Sequence, residues 1–269
     1  MKKIILTILA AGLVMSGCMN TAISTNKVLC GSSIILSLAK DCGGLDVSTL
    51  VPADVCPGSF DLKPEDAAKI MSARVFLIQP FQQPLAEKAL KINPKIAVET
   101  IRTDDMTIPE NYFRGIKEAE NILAKYFPGM AGQFSSGVNS RVDEIRNAVI
   151  NDMDYIQKVR KKNIHVLVSG FQAATARYLG LNVAGTFGGP ESLKPKDLNG
   201  LLMAAKSSGA TLIISNMTGT HDSTADILNK SLKIKKVVFI VFPGVSGNGS
   251  MFMNLWEYNL NQLKSALGE

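Results

Sequence analysis

Residues 131–161 read AGQFSSGVNSRVDEIRNAVINDMDYIQKVRK. Val138, Val142, Ile145, Val149, Met153, Ile156 and Val159 recur at helical spacing, with charged side chains between them. After Gly137 neither glycine nor proline interrupts, so the pattern predicts one long amphipathic helix. A shorter helical stretch, Asn111 to Phe127, precedes it. Toward the amino terminus the period changes. β-rich runs at Val28–Cys30, Val47–Val51, Arg74–Ile78 and Ile96–Thr100 alternate with helical patterns around Ser33–Lys40, Lys63–Ser72 and Leu85–Leu90. Beyond the long helix the alternation resumes. Strands are expected at Ile164–Ser169, Val183–Thr186, Thr211–Ser215 and Lys236–Val241. Helices are expected at Ala173–Leu179, Pro195–Ser208, Ser223–Leu232 and Met251–Leu267, with Pro195 suited to a first turn. Such βα alternation argues for parallel sheets. The expected fold class is α/β, with two lobes, each a mostly parallel sheet flanked by helices, joined by one long rigid helix.

The first residues carry a different signal. Met1-Lys2-Lys3 is a positive start, Ile4 to Met15 is apolar and uncharged, and Leu13-Val14-Met15-Ser16-Gly17-Cys18 closes the run. Small residues before a cysteine at the end of a short apolar core mark a secretory signal, and this one resembles the bacterial lipobox. The resemblance implies cleavage before Cys18 and a lipid on its sulfur. A spanning helix needs about 20 apolar residues, more than this core supplies. Met19 to Asn26 is small and polar, as suits a tether.

With the leader gone, two lysines go too, and the formal charge falls from +6 to +4. The excess is scattered in clusters such as Arg160-Lys161-Lys162. No basic stripe with interleaved aromatics offers a nucleic-acid footprint. Three cysteines remain besides Cys18: Cys30, Cys42 and Cys56. An odd number in an exported protein fits one disulfide plus a free thiol, such as Cys42 with Cys56, or three free thiols in a reducing habitat.

Four segments then point to one family. Val51 to Pro64, VPADVCPGSFDLKP, resembles the "VPPGxDPHxFEPxP" segment of the zinc/manganese (TroA-like) solute-binding proteins of ABC importers. Ser169 to Leu181 is similar to their "HxAFxYxxxRYGL". Pro190 to Leu198 resembles their "xPExEPSxxxL", and Asn254 to Leu267 their closing helix. The resemblance covers nearly the whole mature chain. It implies a signal peptide at 1–17, a lipidated tether at 18–26, an N-terminal lobe at 27–128, a connecting helix at 129–161 and a C-terminal lobe at 162–269. It further implies a ligand held between the lobes and delivered to an ABC permease and its ATPase subunit. The protein would be lipid-anchored through Cys18 at the outer face of the cytoplasmic membrane or in the periplasm.

The family grips metal with three histidines and a carboxylate, a donor set suited to zinc or manganese. Here the matching positions hold Gly58, Asp104, Ser169 and Asn216, and a later family aspartate falls near Phe242. Only His165 and His221 exist in the chain. His165 is expected to be a partly buried strand residue. His221 is expected in a loop, Met217 to Asp222, at the carboxyl end of a strand. An ordinary three-histidine zinc or manganese site is therefore not expected, and no resident cofactor is.

The candidate ligand-binding residues are Cys56, Gly58, Ser59, Gln79, Phe81, Asp104, Ser169, Phe171, Asn216 and His221, with Asp104 and His221 as candidate metal ligands. Strand ends around Cys30 and Pro243 to Ser246 are expected to line the same cleft, because ligands bind beyond the carboxyl ends of parallel strands. Neutral hydrogen-bonding groups beside aromatic faces suit a small organic solute or a metal chelate. A soft-metal reading would use the sulfurs of Cys30, Cys56 and Met217. No Gly-x-Ser-x-Gly elbow or phosphate loop is present, and Gly185 to Gly189 lacks the spaced third glycine of a dinucleotide site, so no enzyme is expected. The alternative is a repurposed scaffold, an adhesin or partner-binding lipoprotein without a transported ligand.

Overall fold

The computed structural model describes residues 27–244 and 251–269. The expected leader, the expected lipidation site Cys18 and the expected tether lie outside the described residues, as do Val245 and Ser246. Among the described residues the strands form two four-stranded sheets, parallel throughout.

The first sheet holds β1 (Lys27–Cys30), β2 (Asp46–Thr49), β3 (Val75–Ile78) and β4 (Ala97–Thr100), in the order β2-β1-β3-β4. Its crossovers are α1 (Ser33–Cys42), α2 (Asp66–Ser72) and α3 (Gln83–Ile92). Two helices follow, α4 (Pro109–Tyr126) and α5 (Ala131–Lys161). The second sheet holds β5 (His165–Ser169), β6 (Asn182–Phe187), β7 (Leu212–Asn216) and β8 (Lys235–Phe239). Its order, β6-β5-β7-β8, repeats the connectivity of the first. Helices α6 (Ala173–Tyr178), α7 (Pro195–Ser208) and α8 (His221–Leu232) connect its strands, and α9 (Met251–Leu267) closes the chain.

The connecting helix runs 31 residues, about 46 Å at 1.5 Å per residue. Its predicted stripe is the buried one: Val138, Ile145, Val149, Ile156 and Val159 face the core, joined by Phe134. At Gly137 the helix touches α1 so closely that an added Cβ would meet the Cys42 carbonyl oxygen at 2.7 Å and that of Asp41 at 3.0 Å.

Strand residues alternate between two packing environments, as a period of two requires. Leu29, Phe76 and Ile78 face a cluster private to the first lobe. Leu167, Phe187 and Ile213 do the same in the second lobe. The opposite faces share one core. Val28, Val75 and Leu77 join Val166, Val168, Ile214 and Phe239 there, through side chains of α1, α4, α5, α6 and α9. Polar contacts tie α1 to α4 and α5 beside this core. The Tyr112 hydroxyl donates to Asp41 Oδ2 at 2.6 Å and lies 2.6 Å from Ser37 Oγ, while Arg141 Nε sits 3.0 Å from Asp41 Oδ1. Burial raises the Asp41 pKa, against the hydrogen bond from Tyr112 and the charge of Arg141.

Two expectations are corrected. Cys30 is fully buried in the shared core, so it neither lines a cleft nor offers sulfur to a ligand. His221 is not in a loop but is the first residue of α8. The helix starts earlier than its apolar periodicity, because the first turn, His221-Asp222-Ser223-Thr224, is polar. The cysteines Cys30, Cys42 and Cys56 are all free.

Candidate functional site

In a 2-1-3-4 parallel sheet the crossovers diverge between the first and third strands, and a crevice opens beyond their carboxyl ends. Here those points are β1/β3 and β5/β7. The carboxyl-end loops of the two sheets also meet. Thr107, beyond β4, lies 2.8 Å (Oγ1 to Oγ1) from Thr175, beyond β5. Ala53, beyond β2, lies 3.7 Å from where a Cβ of Gly244, beyond β8, would sit. Segments beyond the carboxyl ends of the two sheets are therefore in contact with one another.

The first lobe presents a one-turn helix, Pro80–Gln82, directly after β3. Gln82 is buried and ties it down. Its Nε2 donates to the Gly31 carbonyl at 2.5 Å, and its Oε1 accepts from the Gln79 amide at 3.0 Å. Ser32 Oγ donates to Gln79 Oε1 at 2.9 Å. With the turn fixed, Phe81 stands 52 % exposed.

The second lobe repeats the device after β5. The turn Gly170–Gln172 buries Gln172, whose Nε2 donates to Asn216 Oδ1 at 2.9 Å. Asn216 donates in turn to the Thr218 carbonyl and hydroxyl, at 2.8 and 2.9 Å. Phe171 is again 52 % exposed. Its ring stacks on the imidazole of His221, with centroids 4.6 Å apart and planes at 25°. His221 Nδ1 is 2.7 Å from the buried Ser169 Oγ. Burial lowers the His221 pKa, partly offset by the Glu191 carboxylate. Glu191 is itself held by its own amide and the Thr220 hydroxyl, which lower its pKa.

The structure thus brings Ser169, Phe171, Asn216 and His221 together at one strand-end corner. Gln79 and Phe81 occupy the corresponding corner of the first lobe. Gly58, Ser59 and Phe81 border a hollow of about 190 Å³, closed on one side by the Lys88–Asp61 ion pair at 2.5 Å. Half-exposed Cys56 precedes it. A larger hollow, about 560 Å³, lies between the end of β6 and α7 and contains none of the predicted residues. Asp104 is exposed in the loop between β4 and α4, and no contact joins it to His221. Among the described residues no three of His, Cys, Asp and Glu form a group able to hold a metal ion.

A family model described as "Zinc-uptake complex component A periplasmic" matches residues 28–266. The chain belongs to this family. Its members are solute-binding proteins, not enzymes, and their description places them in the periplasm. No curated protein matches the chain. Among solved structures, a periplasmic metal binding protein from candidatus Liberibacter asiaticus superposes with a TM-score of 0.77 at 18 % identity, covering 90 % of this chain and 99 % of that one. Its Mn-bound form gives 0.74 at the same identity and coverage. The periplasmic zinc binding protein TroA from Treponema pallidum gives 0.73 at 13 % identity, again over 90 % and 99 %. At such identities the likeness is one of fold.

Within this zinc-uptake fold, the positions that the resemblance assigns to metal ligands hold other chemistry. Gly58 has no side chain, Ser169 and Asn216 are buried and engaged with neighbours, and Asp104 faces solvent. Sequence reasoning missed Glu191, Thr218 and Thr220, which support the His221 corner. It also missed the Thr107–Thr175 bridge. The Glu191–Thr220 and Thr107–Thr175 pairs lie far apart in the chain, and no local pattern announces them. One signal was available: Phe81-Gln82 and Phe171-Gln172 repeat a dipeptide directly after predicted strands.

Proposed function

We propose that this protein is the extracytoplasmic receptor of an ABC importer for metal uptake, anchored by lipid at Cys18, which captures a metal ion or metal chelate between its lobes and hands it to a permease driven by an ATPase subunit. The observation that carries this reading is the family match over residues 28–266, supported by two lobes whose strand-end segments touch. Support for metal as the cargo comes from the names of its structural neighbours, a Mn-bound periplasmic protein and a periplasmic zinc binding protein. The lipid anchor rests on the lipobox-like run ending at Cys18.

Two measurements test it. Growth with an alkyne-tagged fatty acid should label the wild-type chain, and Cys18→Ala should abolish the label and release the protein from the membrane fraction. Native mass spectrometry with elemental analysis, on protein purified from its own host without chelator, should find a stoichiometric bound metal or metal-bearing mass. An empty cleft together with a tight ligand-independent partner would instead favour the adhesin-like alternative.

A further inference from the structure

The donor inventory of this chain is short enough to complete. Every histidine, aspartate and glutamate lies within the described residues, and residues 245–250 are Val, Ser, Gly, Asn, Gly and Ser. No cluster of three donors exists among the described residues. A bare zinc ion wants about four protein ligands, or three and an open position. This chain does not fit that demand.

One donor is nonetheless prepared. His221 has its Nδ1 2.7 Å from Ser169 Oγ and its ring stacked on Phe171, while its Nε2 has no partner among the described residues. A hydrogen bond at one ring nitrogen fixes the tautomer and aims the other nitrogen at a metal. A single aimed imidazole cannot cage an ion. It can complete a metal whose other positions an organic chelator already fills.

Resting on the reading of the cleft as the cargo site, we propose that the cargo is a preformed metal chelate with one exchangeable position, which His221 Nε2 occupies. The exposed faces of Phe171 and Phe81 then pack on its organic part. The step is a ligand exchange. A water leaves the metal, the Nε2 lone pair takes its place, and the ring proton stays on Nδ1, donated to Ser169 Oγ. Nothing is oxidised or reduced. His165 provides an internal control, since it stands at the amino end of β5, the strand whose carboxyl end is Ser169.

The full-length protein in detergent would be titrated with copper(II)–iminodiacetate and, separately, with chelator-free Zn2+ and Mn2+. Copper EPR on protein carrying 15N-histidine reports whether an imidazole is bound. We expect a 1:1 chelate complex whose nitrogen splitting responds to the label. His221→Gln should abolish it and His165→Gln should leave it intact. Ser169→Ala should weaken it about 10- to 100-fold with the circular dichroism unchanged. Indifference to Ser169→Ala would make His221 an ordinary surface imidazole and overturn the proposal. So would wild-type binding by His221→Gln. Tight binding of free Zn2+ or Mn2+ would overturn it too, while leaving the cleft as a cargo site. Failure of chelate and free ions alike, with no bound mass in host-purified protein, would bring down the cargo-site reading itself.

Discussion

Three cysteines illustrate how burial separates chemically equal groups. Cys30 and Cys42 are fully buried, and desolvation pushes both thiols well up, away from the reactive thiolate. Cys56 is half-exposed beside the Pro57–Ser59 turn. A maleimide under native conditions should therefore modify Cys56 and spare Cys30 and Cys42, as peptide mapping would read. Labelling of either buried cysteine without denaturant would contradict the packing described. Tyr112 makes a second residue-scale case, because its buried hydroxyl on α4 serves Asp41 and Ser37 of α1. Tyr112→Phe keeps the ring against Phe252, at 4.2 Å, but strips a partner from a buried carboxylate. We expect a loss of about 1–3 kcal/mol in urea unfolding. None of this was legible beforehand. The sequence marks Cys30 as a strand-end residue, and which face of β1 it takes depends on the register of β1 between β2 and β3.

Among elements, two helices were read closely, whereas α4 was expected at Asn111 to Phe127 and runs Pro109–Tyr126. Helix α5 was anticipated as Ala131 to Lys161 and α7 as Pro195 to Ser208, matching their bounds, since a long stripe and a first-turn proline leave little freedom. The start of α8 was missed because polar first turns carry no period. The Pro80–Gln82 and Gly170–Gln172 turns were missed because three residues are too few to show one. The same helix α5 offers a paired test. At Gly132 an added Cβ meets nothing within 4 Å, so Gly132→Ala should be neutral or stabilise by up to about 1 kcal/mol. At Gly137 the Cβ would strike the backbone of α1, and Gly137→Ala should cost about 1–2 kcal/mol. Equal effects on chemical denaturation at both sites would mean that α5 does not approach α1 as described.

On the scale of the whole molecule, the βα alternation and one unbroken helix were enough to read two parallel α/β lobes, while the core that fuses them was not readable. Its members come from both ends of the chain, from Val28 to Leu263. That core limits how far the two lobes can move against each other. A hinge needs residues free to change conformation, whereas here the lobes share packed side chains and the Thr107–Thr175 and Tyr178–Glu110 contacts. X-ray scattering with and without bound cargo should therefore show a small tilt and no large contraction. A hinge-like fall in the radius of gyration would argue against the shared core. The same fusion governs how the protein responds to heat. Separate cores would melt as separate units, each with its own enthalpy. A core to which both sheets contribute cannot come apart on one side without exposing apolar surface on the other, so calorimetry should record one cooperative peak, with calorimetric and van't Hoff enthalpies in agreement.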